Sequence, residues 1–147
     1  MASTFVTDVA TSNAVFTGKG SHVFIREATY EITEALVVDD VIQMIPVAKG
    51  ERVVDCILIT DDLDTNGTPT ITLDVGDDLD PDRYIDGSDI GQTGGHEKLG
   101  AGVAAAAAFN LDLQYTADNT IDVTVAVAPA TGATSGTIKL RAFIVND

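Results

Sequence analysis

The chain has 147 residues, enough for one domain with a substantial core but too few for two comfortable ones. Its composition, 45% hydrophobic and 21% charged residues, is that of an ordinary globular protein and argues against wholesale disorder. The 23 acidic and 8 basic side chains give a formal net charge of -15, which repels phosphate backbones and anionic lipid. We therefore expect neither a nucleic acid nor a membrane as a direct partner.

Three further features bear on the compartment. The N-terminus has no basic region followed by a long apolar stretch, so it does not look like a secretory signal. No apolar run approaches the roughly 20 residues of a membrane helix. The single cysteine, Cys56, cannot form an internal disulfide, and we expect it to be a small buried hydrophobe in a reducing compartment.

The first 20 residues are mostly small and polar and are predicted to form an extended N-terminal arm. Their apolar side chains are too few for a core of their own, so the arm should pack on another surface. These side chains are Phe5, Val6, Val15 and Phe16. The segment Gly18-Lys19-Gly20-Ser21 lacks the spacing of a phosphate-binding loop and is interpreted as a hinge to the body, residues 21–147.

The first half of the body shows strand patterns. Residues 22–32 and 41–47 are predicted strands, and Pro46 indicates an edge position or a strand end because proline cannot donate to a ladder. Residues 53–60 are apolar almost throughout, which is typical of a strand covered on both faces. Asn66-Gly67 is a strong turn signal.

After the turn, Ile71 to Val75 alternate apolar and polar as a strand does. The pattern then stops, and residues 77–95 are predicted to be a long loop. Asp80 as N-cap and Pro81 at the first helical position predict a short helical turn over residues 81–86 within it.

The alanine-rich run 103–109 is interpreted as a strand, although alanine favours helices. Residues 121–127 and 138–144 alternate apolar and polar, which places one face inward and the other toward water. The predicted core includes Cys56, Leu73, Val123, Val125, Leu140 and Ile144. About eight strands separated by turns predict an all-β sandwich, jelly roll or barrel.

Catalytic motifs are scarce. Two histidines, one cysteine and no tryptophan are too few for a zinc centre at the usual spacing, and no nucleophile elbow is present. We therefore expect no enzymatic activity and no cofactor.

One acidic cluster invites a second interpretation. Several aspartates surround Gly76 and Gly87, and Arg83 is the only formal cation between Asp55 and Glu97. A flexible loop of carboxylates suits a hard cation such as calcium, but the EF-hand spacing is absent. We interpret the cluster as a solvated acidic loop, with a cation site as the alternative. The carboxylates of that alternative are Asp77, Asp78, Asp80 and Asp82.

Three segments resemble small structural proteins of tailed bacteriophages. They are Asp40 to Gly50, Leu73 to Gly87 with the marker Asp80-Pro81-Asp82-Arg83-Tyr84-Ile85-Asp86-Gly87, and Tyr115 to Val125. The resemblance covers roughly residues 38–146, leaving the arm outside it. Among these proteins, head decoration or cement proteins are similar in size. The likeness implies a jelly-roll fold, attachment across joints between major capsid subunits on the capsid exterior, and assembly as homodimers or homotrimers.

These considerations predict a non-enzymatic virion protein, made in the host cytoplasm, whose partners are the major capsid protein and itself. The expected contact residues are the four apolar arm residues, Phe5, Val6, Val15 and Phe16, together with Arg83 and Tyr84 of the marker segment. The alternative is a carbohydrate- or receptor-binding β-sandwich of a phage tail or fibre that uses the 77–95 loop with a cation. Aromatic residues make up 5% of the chain, which is few for sugar-binding platforms.

Overall fold

The computed structural model describes residues 22–102 and 113–146. The predicted arm and the alanine-rich run 103–109 lie outside these residues. The described chain forms eight strands and one 3-10 turn, Ile90–Gln92, between the fifth and sixth strands. The strands are β1 (Val23–Glu31), β2 (Val41–Val47), β3 (Glu51–Thr60), β4 (Thr72–Asp77), β5 (Asp80–Ser88), β6 (Gly95–Lys98), β7 (Asn119–Val127) and β8 (Thr137–Asn146). Across these two ranges, no helix has the length and apolar character needed to cross a membrane.

The strands pair as one long antiparallel hairpin rolled up on itself. Strand β1 pairs with β8, β2 with β7, β3 with β6 and β4 with β5. Two further antiparallel pairings, β3 with β8 and β4 with β7, complete two four-stranded sheets. Their strand orders are β1-β8-β3-β6 and β2-β7-β4-β5. This is the jelly-roll arrangement of a β-sandwich, so the predicted fold class is confirmed.

The core lies between the sheets and follows from the alternation of side chains along each strand. All six predicted core residues, Cys56 and Leu73 among them, are fully buried. Strand β8 shows the rule most clearly, because Ile138, Leu140, Ala142 and Ile144 face inward and the residues between them are only half buried. The predicted register is therefore confirmed in β8, and in β7 it holds for Ile121, Val123 and Val125, whereas Val127 at the end of β7 is exposed.

The predicted helical turn over residues 81–86 is wrong, because these residues belong to strand β5. The local N-cap signal at Asp80 favours a helix, but strand pairing with β4 is more favourable, and there Val75 opposes Ile85. Gly76 permits this pairing, since a Cβ there would collide with the backbone of Asp80 and Pro81. Strand β5 is an edge strand of its sheet, where the missing N–H of proline is tolerated.

Other expectations also need correction. The predicted long loop over residues 77–95 is replaced by β5, the 3-10 turn and the start of β6. Strand β3 alternates buried with half-buried residues instead of being covered on both faces. Asp122, expected to face water, is buried in the central strand β7, and this burial raises the pKa of its carboxyl.

The buried carboxylate of Asp64 joins two connections at one end of the sandwich. Its Oδ2 accepts backbone N–H bonds from Thr70 at 2.7 Å, Ala130 at 2.8 Å and Ile71 at 3.3 Å. Its Oδ1 accepts from Thr131 at 2.9 Å and Asn66 at 3.3 Å. The β3–β4 connection is thereby fastened to the β7–β8 connection.

These donors also determine the charge state of Asp64. Burial alone would raise the pKa of the carboxyl, but the backbone donors of Thr70, Thr131, Ala130 and Asn66 outweigh it and hold the pKa well below its usual range. Asp64 is therefore a carboxylate throughout the neutral and mildly acidic range. Hydrogen bonds to a charged acceptor are stronger than those to a neutral one.

A second buried carboxylate acts at the opposite end of β3. Glu51 forms a two-pronged ion pair with Arg26 of β1, at 2.6 and 2.7 Å, and accepts the backbone N–H of Ala48 at 2.8 Å. Arg26 also donates to the carbonyl oxygen of Pro46 in β2, at 2.8 Å. The ion pair therefore joins β1 to β3 within one sheet, and the Arg26–Pro46 hydrogen bond joins β1 to β2 across the two sheets.

We predict that Leu140→Ala and Leu73→Ala each lower the free energy of unfolding by about 2–5 kcal/mol, because each leaves a cavity in a fully buried position. Urea denaturation measures the loss. The matched control is Val37→Ala at an exposed position, which should change stability by less than about 0.5 kcal/mol. A similar small change in Leu140→Ala would contradict the core assignment.

We also predict that Asp64→Asn lowers the free energy of unfolding by about 1–3 kcal/mol, because an amide nitrogen would face backbone donors left without an acceptor. The pKa of Asp64 is depressed on folding, so its contribution is present above the unfolded pKa of about 4 and is lost as pH falls. The difference between wild type and Asp64→Asn should accordingly shrink when urea denaturation is repeated below pH 4. A difference independent of pH would show that the charge of Asp64 does not matter.

Candidate functional site

The hairpin between β4 and β5 carries a buried polar cluster at its base. Asp77, at the end of β4, accepts a hydrogen bond from Arg83 Nε at 2.8 Å and from the Tyr115 hydroxyl at 2.9 Å. The hydroxyls of Tyr84 and Tyr115 lie 2.7 Å apart. Because the Tyr115 proton is directed to Asp77, Tyr84 is the donor to Tyr115. The two strands and the segment before β7 are thus joined by one chain of hydrogen bonds.

Burial determines the protonation of the two phenols. It raises the pKa of Tyr84 to about 12, although the hydrogen bond with Tyr115 acts in the opposite direction. Burial and the neighbouring Tyr84 raise the pKa of Tyr115 further. Burial also opposes the charge of Arg83, but its hydrogen bond with Asp77 prevails and raises the pKa of the guanidinium. Both tyrosines therefore remain neutral hydrogen-bond donors near pH 7. The cluster stabilises the base of the β4–β5 hairpin against the segment before β7.

The carboxylate of Asp77 also binds the backbone of the β4–β5 turn. The backbone N–H groups of Leu79 and Asp80 both donate to Asp77 Oδ1 at 3.0 Å. This holds the turn in one conformation and leaves Leu79 projecting from it with 81% of its surface exposed. A large apolar side chain held in water on a braced turn is a candidate contact for a partner.

The four aspartates of the cation alternative do not converge. Asp77 and Asp80 lie beside Arg83, with Asp80 Oδ2 3.6 Å from Arg83 Nη1, while Asp78 accepts from Asn119 Nδ2 at 2.6 Å. A hydrogen bond with Asp82, followed by burial, raises the pKa of Asp80. Over residues 22–102 and 113–146, no group of three or more His, Cys, Asp or Glu side chains could hold a metal ion. The geometry lends no support to a cation at this hairpin.

The expected contact residues occupy different environments. Tyr84 is buried in the core, and Arg83 is largely covered by its ion pair with Asp77. Both side chains are thus engaged within the chain itself, and their contact with another chain stays a prediction. Phe5, Val6, Val15 and Phe16 lie outside the described residues.

The outer face of the β1–β8 pair carries an apolar surface that was not predicted from the sequence. The inward-facing residues of β8 pair with Phe24, Arg26, Ala28 and Tyr30, so Val23 and Ile25 face outward. Val23 opposes Val145 and Ile25 opposes Phe143, and these four residues form one apolar cluster on that face. The signal was present in the run Val23-Phe24-Ile25, which is apolar on both faces of an edge strand.

The cluster is bounded along the strands by charge. Glu27 pairs with Arg141 at 2.6 Å and lies 3.8 Å from Lys139, all on the same outer face. The pKa of Glu27 is lowered, chiefly by its hydrogen bond with Arg141. An apolar area flanked by charged side chains, here Glu27, Lys139 and Arg141, has the composition of a contact surface rather than of a core.

A third apolar area surrounds the connection from β1 to β2. Val37, Val38 and Val41 are exposed there, beside an open groove of about 500 Å³. The groove is lined by Tyr30, Glu34, Ala35, Leu36, Val37, Asp40, Val41, Ile42 and Gln43. Exposed apolar areas of this kind are typical of surfaces that bind other proteins.

Solved structures of bacteriophage capsids contain chains that are similar to this one. No family model matches the chain, and no curated protein matches it. The chain is similar to a chain in the capsid of Ralstonia phage GP4, with 32% identity, a TM-score of 0.73, and coverage of 86% of this chain and 85% of that one. It is also similar to a chain in the cyanophage Pam1 capsid asymmetric unit, with 27% identity, a TM-score of 0.73, and coverage of 88% and 89%.

A third structure shares the fold alone. A chain in the acidic stable capsid structure of Helicobacter pylori bacteriophage KHP30 aligns with a TM-score of 0.55 at 12% identity, over 86% of this chain and 93% of that one. The likeness to the Ralstonia phage chain combines identity above 30% with coverage of most of both chains. The protein therefore belongs to a family of structural proteins of the bacteriophage capsid.

Proposed function

We propose that the protein is a head decoration, or cement, protein that binds the capsid exterior across joints between major capsid subunits and stabilises the DNA-filled head. The observation that carries the proposal is the likeness to a chain of the Ralstonia phage GP4 capsid over 86% of this chain. The apolar areas on the sandwich surface support it, because such areas are typical of proteins that bind other proteins. The protein acts without a catalytic step.

Charge supports the exterior position. A net charge of -15 is unfavourable next to packaged DNA and is tolerated on the side of the shell that faces solvent. Synthesis in the host cytoplasm agrees with the single cysteine, which is free and buried.

The proposed mechanism is mechanical. Each copy bridges neighbouring capsid subunits, and its binding free energy is released only when those subunits are correctly placed. Because the joints repeat over a symmetric lattice, a modest contribution per copy adds up over the whole shell. The added contacts oppose the outward pressure of the packaged DNA.

The β4–β5 hairpin is the contact that the geometry favours. Asp77 holds the turn in place, so binding through Leu79 would cost little conformational entropy. Arg83 and Tyr84 fix the base of the same hairpin. The acidic residues Asp78, Asp80 and Asp82 favour a basic surface on the major capsid protein, so binding should weaken as salt rises.

The N-terminal residues provide the second contact. Phe5, Val6, Val15 and Phe16 are proposed to pack on the capsid or on another subunit of a homodimer or homotrimer, as part of an extended arm preceding the body at residues 21–147. A contact through two separate segments raises the apparent affinity because the second segment binds intramolecularly.

We predict that phage heads made without the protein assemble but release DNA at a lower temperature than complete heads, and that adding the purified protein restores the release temperature. A fluorescent DNA-binding dye during a heating ramp measures the release. Equal release temperatures for depleted and complete heads would overturn the proposal. Location of the protein at the tail tip by electron microscopy would overturn it in favour of receptor binding.

We predict that Leu79→Lys weakens binding to depleted heads by about tenfold or more, since it replaces the apolar contact with a positive charge that faces the proposed basic surface. Sedimentation of heads with labelled protein measures the affinity. The matched control is Val127→Lys, at an exposed residue at the other end of the sandwich, which should bind as wild type does. Equal binding by both variants would exclude the hairpin as the contact.

A further inference from the structure

Strand β1 has an unusual combination of features at its first residues. It is an edge strand, bonded to β8 on one side only among the described strands. Val23, Phe24 and Ile25 are 57%, 45% and 62% exposed. Side chains on both faces of the sheet are therefore apolar and uncovered at the same place. An edge of this kind is a template for pairing with another strand.

The later residues of β1 differ, because their exposed side chains are polar. On the inner face, Arg26 bonds to Pro46 of β2, while Ala28 and Tyr30 pack against the core. The exposed apolar part of the edge is thus confined to the three residues that lie next to the start of this described range at His22.

The sequence just before His22 matches this edge in register. Gly18-Lys19-Gly20-Ser21 has two glycines in four residues, and glycine supplies the positive φ values that tight hairpin loops require. A reversal centred there sets Phe16 opposite Val23, Val15 opposite Phe24 and Ala14 opposite Ile25. Residues directly opposite in an antiparallel pair share a face, so Phe16 would cover the outer face and Val15 the inner one.

We propose that residues 14–16 of the same chain add to the free edge of β1 as a further antiparallel strand, closing the β1-β8-β3-β6 sheet at that side. The attachment through a four-residue turn gives this segment a high effective concentration at the edge, which favours it over a segment from another copy. The inference does not depend on the proposed function, because it concerns the isolated protein.

The pairing would determine which part of the arm stays unpaired. Only the residues before Ala14 would remain available for partners, with a reach of about 40 Å at roughly 3.3 Å per residue. Phe5 and Val6 fall in this free portion, whereas Val15 and Phe16 would serve to anchor it. The pairing would therefore restrict the arm contact with the capsid or another subunit, proposed above for all four apolar residues, to Phe5 and Val6.

A disulfide between opposing residues tests the pairing. We expect Phe16→Cys/Val23→Cys to oxidise to an intramolecular disulfide in the monomer, since opposing residues lie about 4.5–5.5 Å apart between Cα atoms, within the range a disulfide spans. Cys56 will not interfere, because burial raises the pKa of its thiol to about 12. The matched control, Phe16→Cys/Leu79→Cys, places the second cysteine on the β4–β5 hairpin and should remain reduced.

Mass spectrometry and non-reducing electrophoresis of the full-length protein separate the outcomes. A crosslinked monomer supports the proposal. A crosslinked dimer would mean that the edge accepts residues 14–16 of a second copy and would overturn it. Equal oxidation of the control variant, or none in the test variant, would also overturn it.

Hydrogen exchange provides a second readout without cysteines. In the full-length protein, Val15→Asp/Phe16→Asp should increase amide exchange over residues 23–25 by about tenfold or more, because the added strand is lost. Val37→Asp/Val38→Asp, at two exposed valines, is the matched control and should leave exchange at 23–25 unchanged. Unchanged exchange in both variants would overturn the pairing.

Discussion

The carboxylate of Asp64 is the interaction on which one whole end of the sandwich depends. A jelly roll brings together connections that are far apart in sequence, and here the donor Ala130 lies 66 residues from its acceptor. Such loops expose backbone N–H groups that have no strand partner, and each would be costly to bury alone. One charged side chain satisfies five of them, from Asn66, Thr70, Ile71, Ala130 and Thr131. These five backbone N–H groups are therefore satisfied without a strand partner at this end of the sandwich.

The opposite end uses ion pairs for the same purpose. Glu51 with Arg26 joins β3 to β1 within one sheet, and Arg26 also bonds to Pro46 in the other sheet. Asp77 with Arg83 and Tyr115 stabilises the β4–β5 hairpin. Between these polar ends the interior is apolar, with Asp122 as a buried exception in β7. The buried carboxylates of Asp64, Glu51 and Asp77 are stabilised because each accepts several hydrogen bonds.

Periodicity was sufficient to predict much of this fold from sequence. The strand predicted over residues 41–47 has those limits in the structure, and the alternation in β7 and β8 correctly identified Val123, Val125, Leu140 and Ile144 as core. The β4–β5 hairpin was missed because Asp80-Pro81 carries a helix-start signal, whereas the competing signal, close approach at Gly76, requires knowledge of the neighbouring strand. Burial of Tyr84 could not be foreseen for the same reason, since its partner Tyr115 is 31 residues away. The exposed Val23 and Ile25 looked like ordinary strand residues because only the sheet order shows that β1 is an edge.

The position of β8 has a consequence for biosynthesis. The last strand in sequence lies between β1 and β3, so the sheet has a gap at its centre until residues 137–146 have left the ribosome. Strand β1 lacks its partner β8 while more than a hundred further residues are synthesised. Native contacts between residues so far apart in sequence form slowly. The β1-β8-β3-β6 sheet can therefore be completed only after β8 has been translated. Premature termination within β8 would leave two facing strand edges open and would yield an aggregation-prone chain rather than a shortened domain.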